Sequence, residues 1–280
     1  MKYRLRNIYD FIFNEVGYLS GYINLLINKL IYFNSHTNLK KNQSSIKVIN
    51  AKHFTQYGWS KIKFNSSLQD RIMNYVIKID KTDNDNSFKN YWKEIFNEEI
   101  EIKNFVAHEL KKTDIFDFAL NYFGSIPMLR SINCFYTKGR EDLIFSSSMN
   151  WHKDLHHEKL IKIMYCVSDI DEENGPTNFI DTKDSAKIKY TNFPHYFSDQ
   201  ELKSQNKKFT IKKCLGKSGD AFALDTAQCF HMGSRSKKDR MQVIITLSPY
   251  ASKLYPFKSI HIDKDLFSFN QSLYKEYKTS

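Results

Sequence analysis

Apolar residues recur every three or four positions through the first 33 residues, at Leu5, Ile8, Ile12, Val16, Leu19, Ile23, Leu26, Leu30 and Phe33. That spacing predicts an amphipathic helix, or a helical pair broken near Gly17 or Gly21. Its apolar face has two readings. It packs on the rest of the chain or on a second subunit, or it lies in a membrane interface, which the flanking basic, Tyr and Phe side chains favour. Residues 34–45 are polar throughout and read as a linker. Residues 1–45 are therefore expected as an N-terminal helical segment with its linker, and residues 46–280 as the main domain.

Further along the chain the period changes. Residues 53–64 read as a strand, and Asn65-Ser66-Ser67 as the start of a helix running to about Ile79. Residues 81–87 have loop composition. Residues 88–96 and 107–123 are expected as helices, the second ending near Gly124. Beyond Arg130 short apolar strands take over, at 131–136, 162–167, 209–211, 221–224 and 241–247. Helices first and strands afterwards predict an α+β chain, with a jelly-roll core buttressed by N-terminal helices. No internal repeat is visible.

Composition narrows the picture without specifying a partner. With 41% hydrophobic and 15% aromatic residues, the 280-residue chain can bury a large core. The net charge of +11 suits an anionic substrate or surface, but its lysines are scattered and no nucleic-acid-binding module is present, so no nucleic-acid partner is expected. Cys134, Cys166, Cys214 and Cys229 form neither a C-x-x-C pair nor a zinc spacing, which fits a reducing, cytoplasmic setting. No apolar run reaches the length of a membrane span, and Asp10, Glu15 and Lys29 interrupt the only leader-like stretch. The expected location is cytoplasmic, with peripheral contact at the inner membrane surface through residues 1–33 as the sharper reading.

Two stretches carry chemistry. In Trp151-His152-Lys153-Asp154 the imidazole and the carboxylate are two positions apart, so on an extended strand they share one side. Gly219-Asp220, Phe230-His231-Met232-Gly233 and Arg240 follow much later. A second histidine from a distant strand can complete a set of two imidazoles and one carboxylate, which suits Fe(II) and leaves three coordination positions. Arg240, nine residues beyond His231, falls on the next strand, where its guanidinium can hold a carboxylate.

From about His53 to Tyr250 the chain resembles the phytanoyl-CoA dioxygenase-like family of Fe(II)/2-oxoglutarate oxygenases. The resemblance rests on an ordered set: Tyr57-Gly58-Trp59, Trp151-His152-Lys153-Asp154, Asn174-Gly175-Pro176, Gly219-Asp220, His231-Met232-Gly233 and Arg240. It departs from the family at the turn after Asn-Gly-Pro, where the family's Pro-Gly-Ser-His is replaced by Asn178-Phe179-Ile180-Asp181, so the substrate class does not carry over.

The resemblance implies a double-stranded β-helix of cupin type. It also implies His152, Asp154 and His231 as iron ligands, with Arg240 gripping the distal carboxylate of 2-oxoglutarate and Arg235 as the fallback. Asn133, Tyr165 and Thr177 are further candidate cosubstrate contacts, each set against a plain strand or turn role. His156 and His157 are neighbouring decoys, and Trp151 is expected to pack beneath the metal strand. The retained Asp154 argues for hydroxylation rather than halogenation. The expected reaction consumes O2 and 2-oxoglutarate and oxidises a small anionic substrate, free or linked to a carrier, sugar or lipid. The competing expectation is a non-catalytic jelly-roll module that binds a metal or ligand.

Overall fold

The computed structural model describes residues 48–64, 66–80, 92–96, 99–142, 145, 147–154, 159–189, 196–205, 207–233, 235–249 and 264–279. The expected helix over 1–33, the linker, the 81–87 loop and the decoys His156 and His157 lie outside them.

The first described elements correct the sequence reading. Residues 53–64 are not one strand: helix α1 (Ala51–Tyr57) precedes strand β1 (Trp59–Lys63). Asn50 caps α1, accepting from the His53 N–H at 3.0 Å, and Gly58 ends it with φ +75°. A left-handed residue costs a side chain about 1–2 kcal/mol, so the Gly-aromatic signal marks a helix end meeting a strand rather than mid-strand. Helix α2 (Ser66–Asp80) then runs as expected. Residues 88–96 were expected to be helical, but they contain strand β2 (Trp92–Glu94), whose three residues pair with 135–137. A segment that short takes its conformation from the edge it joins. The helix expected at 107–123 is two, α3 (Ile100–Lys111) and α4 (Ile115–Phe123), the second ending before Gly124.

The remaining strands are β3 (Pro127–Thr137), β4 (Ile161–Cys166), β5 (Asn178–Ile180), β6 (Ile211–Lys213), β7 (Asp220–Asp225), β8 (His231–Met232) and β9 (Arg240–Pro249). Short helices α5 (Thr182–Ser185) and α6 (Asp199–Ser204) interrupt them, and α7 (Phe267–Thr279) follows. Antiparallel pairing gives a six-stranded sheet, β1-β7-β4-β9-β3-β2, and a three-stranded sheet, β6-β5-β8. Strand β5 is only three residues and β8 two, too few for a period-two pattern, so β5 was not anticipated and β8 only as the strand that bears His231.

Alternation along the large sheet separates two cores. Ile161, Ile163 and Tyr165 of β4, with Val243, Ile245 and Leu247 of β9, pack against Phe54, Ile72, Val106, Phe118 and Phe269 of the helices. The opposite face carries Met164, Cys166, Phe222 and Leu224, which meet Phe179, Cys214 and Cys229 from the side of the small sheet. The helices thus cover one side, leaving the other for the space between the sheets. All four cysteines are buried and unbridged. Among the described residues no helix is long and apolar enough to cross a membrane.

Candidate metal centre

The His152 and His231 backbones face each other in a doubly bonded bridge, each N–H donating to the other's carbonyl at 3.0 Å. Directly opposed residues of an antiparallel pair send their side chains to one face, and here the ring centroids are 4.2 Å apart. Two residues on, the Asp154 N–H donates to Thr226 O at 2.9 Å, returning its carboxylate to the same side. Thr226 is held by the turn after β7. There the buried Asp225 carboxylate accepts from the N–H groups of Leu160, Ala227 and Gln228 and from the Tyr122 hydroxyl. Burial pushes the Asp225 carboxyl up to about 6 despite those four donors.

The donor atoms of His152, Asp154 and His231 all lie within 4.8 Å of one another. Asp154 Oδ1 is 3.9 Å from His152 Nε2, and Oδ2 is 3.9 Å from His231 Nε2. Each Nδ1 lies against a main-chain oxygen, Asn150 O at 2.8 Å and Cys229 O at 3.0 Å. A carbonyl only accepts, so Nδ1 carries a proton in both rings and Nε2 is the atom left to face the carboxylate. Burial, with His152 alongside, pushes His231 down to about 3, which keeps it neutral. Burial opposes ionisation of Asp154, but the Lys162 ammonium, ahead of the two imidazoles, holds its carboxyl well below the usual range. Two imidazoles and one carboxylate on a common face fit a first-row divalent cation with open coordination positions.

Two neighbours of the cluster were not singled out in the sequence. Lys162 projects from β4 on the same face as Met164 and Cys166, and its Nζ is 2.7 Å from Asp154 Oδ2. The available signal was a lysine opening an otherwise apolar strand. Tyr196 lays its ring 5.2 Å from that of His152 while staying 42% exposed.

The other candidates separate. Arg240 heads β9, is buried, and donates from Nη1 to Gly175 O. Thr177 lies two residues past Gly175, and its hydroxyl is 3.7 Å from the position a Cβ on Gly233 would take, beside the strand that bears His231. Asn133 donates to the Glu94 carboxylate, which occupies its amide. Tyr165 is turned by strand alternation into the helix-facing core, opposite Lys162 and Met164, with its ring near Phe64. Its hydroxyl has no hydrogen-bond partner among the described residues. The fallback Arg235 pairs with Asp199 at 2.5 Å and donates to Met149 O, while Asp199 also accepts from Trp151 Nε1 at 2.7 Å. That arrangement pins Trp151, 1% exposed, beneath the metal strand.

No family model matches the chain, and no curated protein does. Among solved structures the chain is similar to EctD from S. alaskensis with bound Fe, at TM-score 0.57 and 14% identity over 79% of this chain and 84% of that one. The apo form of EctD matches at TM-score 0.55 and 12% identity, covering 80% and 85% of the two chains. EctD with 2-oxoglutarate and 5-hydroxyectoine matches at TM-score 0.51 and 12% identity, covering 74% and 78%. At such identities the likeness speaks to architecture, and it agrees with the two-sheet arrangement: the chain has an α+β, cupin-type double-stranded β-helix fold.

Proposed function

We propose that the protein is an Fe(II)/2-oxoglutarate-dependent dioxygenase that hydroxylates a small substrate, anionic or linked to a carrier, sugar or lipid, in the cytoplasm. The observation that carries this reading is the convergence of His152 Nε2, His231 Nε2 and the Asp154 carboxylate within 4.8 Å. Similarity to a structure that holds Fe, and to another that holds 2-oxoglutarate, supports it. Iron held there supplies, with 2-oxoglutarate and O2, oxidation of a C–H bond with release of succinate and CO2.

The chain's own residues have separable tasks. Hydrogen bonds from Nδ1 to Asn150 and Cys229 fix the ring orientations, so each ring presents Nε2 to the metal. The Arg240 guanidinium, buried at the head of β9, grips the distal carboxylate of the cosubstrate, with the Thr177 hydroxyl as a second donor. The buried apolar cluster of Met164, Phe179 and Phe222, on the sheet face that also carries Lys162, keeps water from that side of the reacting centre. Tyr196, half-exposed against His152, presents a ring to the incoming substrate. Peripheral membrane contact through residues 1–33 belongs to the same proposal. Liposome flotation of the full chain against one starting at Asn34 tests it.

The central test is anaerobic titration of metal-free protein with Fe(II) and then 2-oxoglutarate, following the visible band of the chelate. The expected result is a band that Asp154→Ala abolishes. Arg240→Met should weaken cosubstrate binding by about 30- to 160-fold, the value of roughly 2–3 kcal/mol for a charge-assisted contact. Well-folded protein that forms no band would leave the non-catalytic binding module as the answer.

A further inference from the structure

The two Asp154 oxygens have different neighbours. Oδ1 lies 3.9 Å from His152 Nε2, whereas Oδ2 lies 3.9 Å from His231 Nε2 and is also in ion-pair contact with Lys162 Nζ at 2.7 Å. Lys162 is anchored more firmly than a surface lysine. Its strand is hydrogen-bonded on both sides, with Leu224 of β7 and Thr246 of β9 as its register partners. The ammonium therefore reaches the carboxylate from the large sheet, while both histidines belong to the bridge at the edge of the small one.

A carboxylate can offer a cation one oxygen or two. Offering both at this cluster would fill one of the three positions that two imidazoles and a single oxygen leave open. An ammonium in ion-pair contact with Oδ2 at 2.7 Å competes with a bound cation for that oxygen, even though the contact does not have hydrogen-bond geometry.

We propose that Lys162 is a positioning residue of the metal centre, holding Oδ2 of Asp154 so that Oδ1 alone is offered to the metal and a chelating cosubstrate keeps its two places. The inference rests on reading the cluster as an Fe(II)/2-oxoglutarate site. It adds a residue from β4 that sets the denticity of the carboxylate.

The test uses the full chain in three forms: wild type, Lys162→Met and Lys162→Arg. Each is titrated anaerobically with Fe(II) by calorimetry, then with 2-oxoglutarate while the chelate band is followed. In Lys162→Met, Fe(II) still binds, the band shifts, and 2-oxoglutarate affinity falls by about 10- to 100-fold, the usual range for losing a partner of a metal ligand. Lys162→Arg, which keeps a cation able to hold Oδ2, restores both band and affinity. Lys162→Gln, too short to reach Oδ2, replaces the methionine variant if that one does not fold. A methionine or glutamine variant with the wild-type band and affinity overturns the positioning role while leaving the oxygenase reading intact. Wild-type protein without a band overturns both.

Discussion

Gly175→Ala tests the coupling between the Asn174-Gly175-Pro176 turn and the cosubstrate arginine. Gly175 has φ +63°, and a Cβ there would lie 2.6 Å from the carbonyl carbon of Arg235 and 2.6 Å from the amide nitrogen of Ser236. Those are main-chain atoms, and Ser236 is fastened to the same turn through its hydroxyl, which donates to Asn174 O at 2.8 Å. Neither strand of chain can give way alone. The left-handed conformation costs an alanine about 1–2 kcal/mol, and forcing a methyl into a closed contact adds about 1–3 kcal/mol. The variant should therefore lose about 2–5 kcal/mol, lowering the urea midpoint of the metal-free protein by roughly 1–2 M at an ordinary denaturant slope. Gly175→Asn separates the two contributions, since asparagine tolerates positive φ but keeps the Cβ; it should recover only part of the loss. Because Gly175 O accepts from Arg240, the alanine variant should also bind 2-oxoglutarate more weakly. A loss below about 1 kcal/mol, or full recovery in the asparagine variant, would refute the close approach on which this reasoning stands.

Three further outcomes are expected. The Asp225 carboxyl, raised by burial to about 6 from an ordinary 3.8, gives stability that is fully present below pH 3.8 and is lost as pH rises through 6. Urea unfolding of Asp225→Asn should therefore improve relative to wild type by about 1–3 kcal/mol between pH 4 and 7, and a constant difference across that range would contradict the buried titration. Asp225→Ala, leaving three main-chain donors and the Tyr122 hydroxyl without their acceptor, should cost about 3–5 kcal/mol by the same assay and loosen Thr226, the support of Asp154. Tyr165→Phe should leave 2-oxoglutarate affinity unchanged and stability within about 1 kcal/mol of wild type, because its hydroxyl lies in the helix-facing core without a hydrogen-bond partner among the described residues; a cosubstrate defect would return Tyr165 to the site.

The metal cluster was legible in the sequence because it depends on local periodicity. His152 and Asp154 share a side by the alternation of extended backbone, held by isolated bridges rather than a strand, and His231 comes with a run, Phe230-His231-Met232-Gly233, that is apolar on both sides of the ligand. The strands β3, β4, β7 and β9 were readable for the same reason: each is long enough to show its period. What failed was shorter, or was decided from outside. Strand β2 exists because β3 offers it an edge, and β5 and β8 because each completes the other's ladder. Tyr165 and Lys162 lie three residues apart on one strand, and only the packing of helices on one sheet face sends the tyrosine away and the lysine to the metal ligands. Sequence periodicity thus determined which residues can share a side. Which side became the site was decided by tertiary packing, since burial is a property of what covers a face and no local pattern contains it.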